Sequence, residues 1–188
     1  MIMIVALAGR RIDEPGGEAI HFPLKNINTV RDRLKKCFNS LKPRALVCSG
    51  ACGADLLALE VAGELNIARS MVIPFEPQLF KSKSVEDRPG NWGALFDSMY
   101  EQVNKEEKVQ VMNYPDAEDD TYRKTNIDIL NRAEVLAEQM DAEKNILVII
   151  VWDGSPKNKN DITSHFKKEA ELRGFKIEEI NTLIEKKS

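Results

Sequence analysis

Two segments of the chain are apolar without interruption. The first runs from Ile2 to Ala8 and ends at Gly9, and the second, the most apolar in the sequence, runs from Ile146 to Trp152. A strand with one face in water would alternate apolar and polar residues, so both runs predict central strands that are covered on both faces. Shorter apolar runs predict four more strands, at Arg44–Cys48, Ser70–Phe75, Val109–Met112 and Phe175–Ile180.

Between these runs, apolar residues recur three and four positions apart, which is the spacing of an amphipathic helix. The predicted helices are Asn26–Leu41, Asp55–Leu65, Gly93–Lys105, Tyr122–Gln139 and Ile162–Arg173. Pro43 follows the first of them as a stop signal, and Gly174 closes the last as a C-terminal cap.

The alternation of strands and helices predicts an α/β protein, a single-domain Rossmann-like three-layer fold with a mostly parallel sheet. A length of 188 residues fits one domain spanning 1–188. Segment 76–107 is the irregular part, because it carries Pro77, Pro89 and Gly90 and exceeds a plain connection in length. We expect it to form a lid or an insertion with one helix.

Charge and composition limit the classes of partner that the protein could bind. A net charge of −3 and a pI near 5.6 argue against a nucleic-acid partner, since proteins that bind nucleic acids broadly do so through a basic face. No apolar run approaches the roughly 20 residues that span a bilayer, so no membrane partner is expected. The three cysteines match no zinc signature, and we expect reduced thiols in a cytoplasmic protein with no metal and no cofactor.

Three loops follow predicted strands and should meet at the carboxyl edge of the sheet, where doubly wound proteins bind ligands. They begin at Gly9-Arg10-Arg11, at Ser49 and at Trp152-Asp153-Gly154. Arg11 is either a bidentate phosphate ligand or a solvated loop residue. Asp153 either accepts hydrogen bonds from a ribose or base, or stabilises its own Asp-Gly turn.

The turn from Ser49 to Asp55 is the most informative of the three. Its two glycines, Gly50 and Gly53, precede a predicted helix start, so free backbone N–H groups and a helix N-terminus favour an anion. The alternative is a glycine turn needed only for tight strand-to-helix packing. Asp55 is either the helix N-cap, which we favour, or a ligand contact.

Other polar residues carry weaker signals. Glu60 is typical of a solvated helix surface and would be catalytic only in an enzyme. His21 and His165 lack metal spacing and are expected on the surface or in loops. The predicted ligand contacts are Gly9, Arg10, Arg11, Ser49, Gly50, Ala51, Gly53, Asp55, Asp153, Gly154 and Thr163.

In order along the chain, several of these motifs resemble the SLOG superfamily, which includes the DNA-processing Smf proteins, the "lonely guy" enzymes and sensor domains of antiphage systems. The residues that carry it are Gly9-Arg10-Arg11, Ser49 to Asp55 with Glu60, Val72-Ile73-Pro74-Phe75 with Phe80 and Ser84-Val85, Trp92, Tyr122, Asn126, the helix to Ala137 and Val151-Trp152-Asp153-Gly154. The resemblance implies a Rossmann-like sheet and a nucleotide-type ligand at its edge. It also implies that Arg11, Ser49, Gly50, Gly53 and Asp153 lie at that edge.

Two departures from the family pattern bear on activity. Arg10 stands where the subgroup has the histidine of Gly-His-Arg. The hydrolytic members use a Pro-Gly-Gly-x-Gly-Thr-x-x-Glu loop, of which the stretch 159–166 keeps only Thr163, and Phe166 occupies the glutamate position. The family's phosphate cradle and its catalytic carboxylate are therefore both missing.

We therefore expect a binding module that senses a nucleotide-derived ligand. It would act through an effector protein or through its own assembly as a homo-oligomer. The alternative is an enzyme that hydrolyses or transfers an N-glycosidic bond, with Glu60 or Asp153 as the carboxylate. A DNA-associated protein of the Smf type is a third hypothesis, disfavoured by the acidic charge balance.

Overall fold

In the computed structural model, residues 2–17, 19–116, 118–140 and 145–184 are described, without the side chains of 118 and 119. The elements are β1 (Ile4–Gly9), α1 (Ile27–Leu41), β2 (Ala45–Cys48), α2 (Ala54–Glu64), β3 (Ala68–Ile73), α3 (Pro77–Ser84), α4 (Trp92–Lys105), β4 (Val109–Val111), α5 (Glu118–Gln139), β5 (Ile146–Trp152), α6 (Ile162–Leu172) and β6 (Lys176–Asn181). A single 3₁₀ turn (Leu24–Asn26) precedes α1.

The six strands form one sheet in the order β4-β3-β2-β1-β5-β6. Every neighbouring pair is parallel, so the sheet is fully parallel rather than mostly so. The two uninterrupted apolar runs are β1 and β5, which lie side by side with further strands outside them, as predicted. All seven residues of β5 are buried.

Alternate residues of β1 enter two separate cores. Val5 and Leu7 pack into the core that α1, α2 and α4 cover, while Ile4 and Ala6 pack into the core under α5 and α6. Because successive side chains of a strand point to opposite faces, one buried strand supplies both cores. Two helix layers around a sheet give the predicted three-layer architecture.

The segment 76–107 is more regular than the sequence suggested, because it forms two helices, α3 and α4. Pro77 is the first residue of α3, where a missing N–H is harmless, and the Glu76 carboxylate accepts a hydrogen bond from the Leu79 N–H at 3.4 Å. Phe80 and Phe96 are buried with their ring centroids 5.8 Å apart. The segment packs into the core, and its role as a lid stays a prediction.

The strand order reverses next to β1. The chain adds β2, β3 and β4 on one side of β1 and then returns to place β5 on the other side. The loops that follow β1 and β5 therefore diverge to opposite faces, and a crevice opens between them at the carboxyl edge. Among the described residues, no helix combines the length and the apolar composition needed to cross a membrane.

Candidate functional site

The crevice at the strand-order reversal is filled by the chain's own charges. The Arg10 side chain is 3% exposed, and its Nε donates to Oδ1 of Asp153 at 2.9 Å. Nη1 donates to the Asp161 carboxylate, and Nη2 donates to the carbonyl oxygen of Ser155. All three guanidinium nitrogens of Arg10 thus have partners within the protein, and we call this group the Arg10 cluster.

Asp153 belongs to the same cluster. Its Oδ2 bonds Nδ1 of His21 at 2.8 Å and accepts from Oγ of Ser155 at 3.0 Å. Burial raises the pKa of Asp153, but the hydrogen bonds from His21, Arg10 and Ser155 outweigh burial, so the pKa lies below its ordinary value. His21 lies in the loop after β1, one of the two settings expected for it, and only 15% of its side chain is exposed because this loop folds back over the end of β5.

Asp161 was not among the predicted site residues. It is the N-cap of α6, with Oδ1 accepting from the Ser164 N–H at 2.7 Å and Oδ2 accepting from the Lys157 N–H at 2.9 Å. Its position just before the apolar-periodic residues of α6 is an N-cap signature that sequence reasoning could have used. One carboxylate therefore caps a helix, holds a loop and pairs with Arg10.

The turn after β2 carries its own anion. Oδ2 of Asp55 accepts from Oγ of Ser49 at 2.6 Å and from the N–H groups of Ser49 and Gly50, each at 3.1 Å. Burial raises the pKa of Asp55, and these bonds lower it only in part. The N-cap prediction for Asp55 was wrong: Gly53 is the N-cap of α2, and the Asp55 carboxylate reaches back to N–H groups that we expected to be free.

Glycines at this edge are required by close packing. A Cβ on Gly9 would lie 2.5 Å from the Val151 carbonyl oxygen, and one on Gly53 would lie 2.7 Å from the Arg10 carbonyl oxygen. Gly53 also has a φ of +92°, which favours glycine. These contacts support the packing explanation for the turn, while a ligand role for its residues stays a prediction.

Beside the Arg10 cluster lies an open cavity of about 320 Å³, bounded by the carboxyl ends of β1 and β2 and by residues that follow β3. Of the predicted contacts, the cavity is lined by Gly9, Arg10, Arg11, Ser49, Ala51, Asp55 and Thr163. The remaining four, Gly50, Gly53, Asp153 and Gly154, are not among its lining residues. Each of the three predicted loops, or the element that follows it, therefore contributes residues to the cavity lining, although four of the predicted residues do not line it.

One wall of the cavity comes from the first turns of α5 and was not predicted. Tyr122, Thr125, Asn126 and Ile129 line the cavity from one face of the helix. The Tyr122 hydroxyl lies 2.9 Å from Oγ of Ser84, and Nδ2 of Asn126 donates to the Ile162 carbonyl oxygen at 2.9 Å. This wall is uncharged, with polar groups from Tyr122, Thr125 and Asn126, the aromatic ring of Tyr122 and the apolar side chain of Ile129.

The rim of the cavity carries three cations, Arg11, Arg88 and Lys157. Nη1 of Arg11 donates to both carboxylate oxygens of Asp87, at 2.7 and 2.9 Å. Arg88 pairs with Glu14. Lys157 forms no ion pair with the described residues, and partial burial lowers its pKa, as does the nearby Arg10 guanidinium. Only Arg11 of these three was predicted.

The other sequence candidates lie elsewhere. Glu60 pairs with Arg31 at 3.0 Å between α2 and α1 and is not among the cavity-lining residues. His165 is partly buried beside Asn126 rather than fully on the surface, and burial lowers its pKa. In the part of the chain that the structure describes, no three His, Cys, Asp or Glu side chains are grouped as metal ligands. All three cysteines are unpaired, and burial raises the pKa of Cys52 to about 11.

Comparison with known proteins gives little further information. No protein-family model and no curated protein matches this chain. Among solved structures, it is similar to the X-ray structure of DNA processing protein A (DprA) from Streptococcus pneumoniae, with 14% sequence identity and a TM-score of 0.42. The match covers 94% of this chain but only 58% of that one. A likeness at this level is no argument about family or function.

Proposed function

We propose that this protein binds a phosphorylated, nucleotide-type ligand in the cavity at the carboxyl edge of the sheet. The observation that carries the proposal is a chemical division among the cavity-lining residues, between three cations (Arg11, Arg88, Lys157) and an uncharged, mostly polar face of α5. A nucleotide has the same division, with an anionic phosphate at one end and a neutral sugar and base at the other. The volume of about 320 Å³ lies at the lower end of the roughly 300–1,000 Å³ that ligand pockets occupy.

Each end of the cavity has suitable chemistry. Guanidinium and ammonium groups form charge-assisted hydrogen bonds with phosphate oxygens. The amide of Asn126 and the hydroxyl of Thr163 offer donors and acceptors for ribose or base, and the ring of Tyr122 offers an apolar surface. The resemblance to the SLOG superfamily supports the same ligand class.

We further propose that the ligand is bound without rapid hydrolysis, as expected of a sensor. The alternative glycosidase would use Glu60 or Asp153, and neither is among the residues that line the cavity. Asp55 and Asp161, which do line it, are each engaged by hydrogen bonds within the protein. Binding with no carboxylate directed at the anomeric carbon would not stabilise a transition state.

Thermal-shift measurements across nucleoside mono- and diphosphates, with matched nucleosides and inorganic phosphate as references, test the ligand class. We expect at least one nucleotide to raise the Tm more than its nucleoside and more than inorganic phosphate. By calorimetry with that nucleotide, Arg11→Ala should weaken binding roughly 10- to 100-fold, about 1.5–3 kcal/mol.

Arg173→Ala is the matched control, since Arg173 pairs with Glu134 at 2.8 Å and does not line the cavity. It should leave the affinity unchanged. The proposal is wrong if no nucleotide exceeds inorganic phosphate, or if Arg11→Ala binds as tightly as the natural chain. Chromatography of the same mixtures tests hydrolysis, and release of free base at enzyme-like turnover, abolished by Glu60→Gln, would favour the glycosidase.

A further inference from the structure

Two carboxylates at the rim of the cavity hold arginines that line it. Glu14 pairs with Arg88, and Asp87 pairs with Arg11 and, at 3.7 Å, with Nε of Arg88, but neither carboxylate is itself a lining residue. Donors that suit an incoming phosphate are thus already bonded to carboxylates of the chain. Arg88 and Glu14 differ most in setting, since the Arg88 side chain is 12% exposed and the Glu14 side chain is 66% exposed. Arg88 is part of the cavity lining, and the Glu14 carboxylate reaches Arg88 from the solvent side.

All three rim cations act on Glu14. The hydrogen bond and charge of Arg88 do most to hold the pKa of Glu14 below its ordinary value, and the charges of Lys157 and Arg11 lower it further. A single exposed carboxylate therefore lies in the combined field of the cations that we assign to phosphate binding. The combined positive charge of the rim favours an anion at the position of this carboxylate.

The loop that bears Glu14 has a fixed base and an exposed tip. The Asp13 carboxylate accepts from the N–H groups of His21 and Phe22, and the Asp13 N–H donates to the Phe22 carbonyl oxygen at 3.0 Å. Residues 14–17 are exposed beyond this base. Glu14 can therefore leave Arg88 while the base of the loop keeps its hydrogen bonds.

We propose that Glu14 is a displaceable competitor, which occupies Arg88 in the free protein and is replaced by the phosphate of the ligand. An ion pair with so exposed a carboxylate is weak, because water competes for both partners. A phosphate monoester offers Arg88 more acceptor oxygens and a charge approaching −2. The exchange therefore selects ligands with a terminal phosphate over neutral or singly charged ones. This inference rests on the proposed function for the identity of the ligand, but not for the competition itself.

Displacement would also change the outer surface. When Glu14 leaves Arg88, the tip at residues 14–17 loses its ion pair with the segment between α3 and α4. A ligand-dependent change in an exposed loop would give a binding module a surface that a partner can distinguish.

Glu14→Gln tests the competition, with inorganic pyrophosphate, AMP and adenosine as the compounds titrated. We expect the variant to bind AMP and pyrophosphate three- to tenfold more tightly than the natural chain, and adenosine equally. In the Arg88→Ala background the gain should disappear, because the donor for which Glu14 competes is gone. The matched control is Glu101→Gln, whose exposed carboxylate pairs with Lys105 on α4 and is 68% exposed. It should leave all three affinities unchanged.

The outcomes separate this inference from the proposed function. Tighter pyrophosphate binding by Glu14→Gln, with no nucleotide exceeding inorganic phosphate in the thermal-shift comparison, supports the competition and rejects the nucleotide. Nucleotide binding that Glu14→Gln leaves unchanged or weakens rejects the competition alone. A gain that persists in the Arg88→Ala background also overturns it, and absence of binding by every compound to every variant overturns both.

Discussion

The Arg10 cluster and the cavity beside it lie at the same edge of the sheet and differ in how their polar groups are paired. In the cluster, Arg10 and Asp153 are almost wholly buried, and each bonds the other and further groups of the chain. At the cavity rim, Lys157 has no ion-pair partner among the described residues, and the partners of Arg11 and Arg88 are partly exposed. A charged residue after a strand therefore does not by itself indicate a ligand.

The difference follows from the cost of burying charge. A charge removed from water must be paired within the protein, so a closed crevice has to supply its own counter-charges. A charge whose partner water can reach is held only by a weak ion pair, so a ligand can take the partner's place. The cluster thus holds the loops in place, and the cavity is where we expect binding.

Of the changes that test this difference, removal of Arg10 should have the largest effect on the free energy of unfolding. Arg10→Met leaves the buried carboxylates of Asp153 and Asp161 without their cation, and we expect a loss of about 3–5 kcal/mol in the free energy of unfolding. Urea denaturation followed by circular dichroism measures it. Arg173→Met, which removes a more exposed ion pair with Glu134, should cost less than about 1 kcal/mol. Equal losses in the two variants would mean that the cluster is no more than a surface ion pair.

The turn after β2 should give a smaller effect. Asp55→Ala leaves the N–H groups of Ser49 and Gly50 without their acceptor, and we expect a loss of about 2–3 kcal/mol. Asp55→Asn keeps an acceptor oxygen and should recover most of that loss in the same denaturation experiment. An Asn variant as unstable as the Ala variant would show that the charge, rather than the acceptor, holds the turn.

The smallest effect concerns pH and distinguishes the two buried carboxylates. The lowered pKa of Asp153 gives stability that is present above the unfolded value of about 3.9 and is lost as the pH falls through the folded pKa. The raised pKa of Asp55 has the opposite sign, so its contribution is present at acid pH and is lost as the pH rises. The free energy of unfolding that Asp153→Asn loses relative to the natural chain should therefore shrink as the pH falls below about 4. The free energy of unfolding of Asp55→Asn, relative to the natural chain, should instead improve as the pH rises. Curves that stay parallel from acid to neutral pH would contradict both shifts.

Much of the fold could be predicted because local patterns determine it. The uninterrupted runs at β1 and β5 identified the centre of the sheet, since only burial on both faces tolerates such sequences. The start of α3 was missed because Pro77 was taken as a break, whereas proline at a first helical position favours a helix.

The site was harder to predict because its partners are distant in sequence. Arg10 and Asp153 are 143 positions apart, and nothing local to either residue indicates that they meet. Arg88 and Lys157 follow no strand directly and so gave no signal. The wall on α5 did leave a signal, because Tyr122, Thr125 and Asn126 place polar side chains on the inward face of the helix.

The place of β1 between β2 and β5 also has a consequence for synthesis on the ribosome. Six residues of β1 pair with β5, which begins only at Ile146. Until that segment is synthesised, β1 is an edge strand, although it lies at the centre of the finished sheet. Its row of unpaired backbone groups can then pair with wrong partners. The pairing of β1 with β5 also closes a long stretch of chain and should be slow for that reason. Since Arg10 follows β1 directly and Asp153 follows β5, the nascent chain gains their ion pair only when that pairing forms.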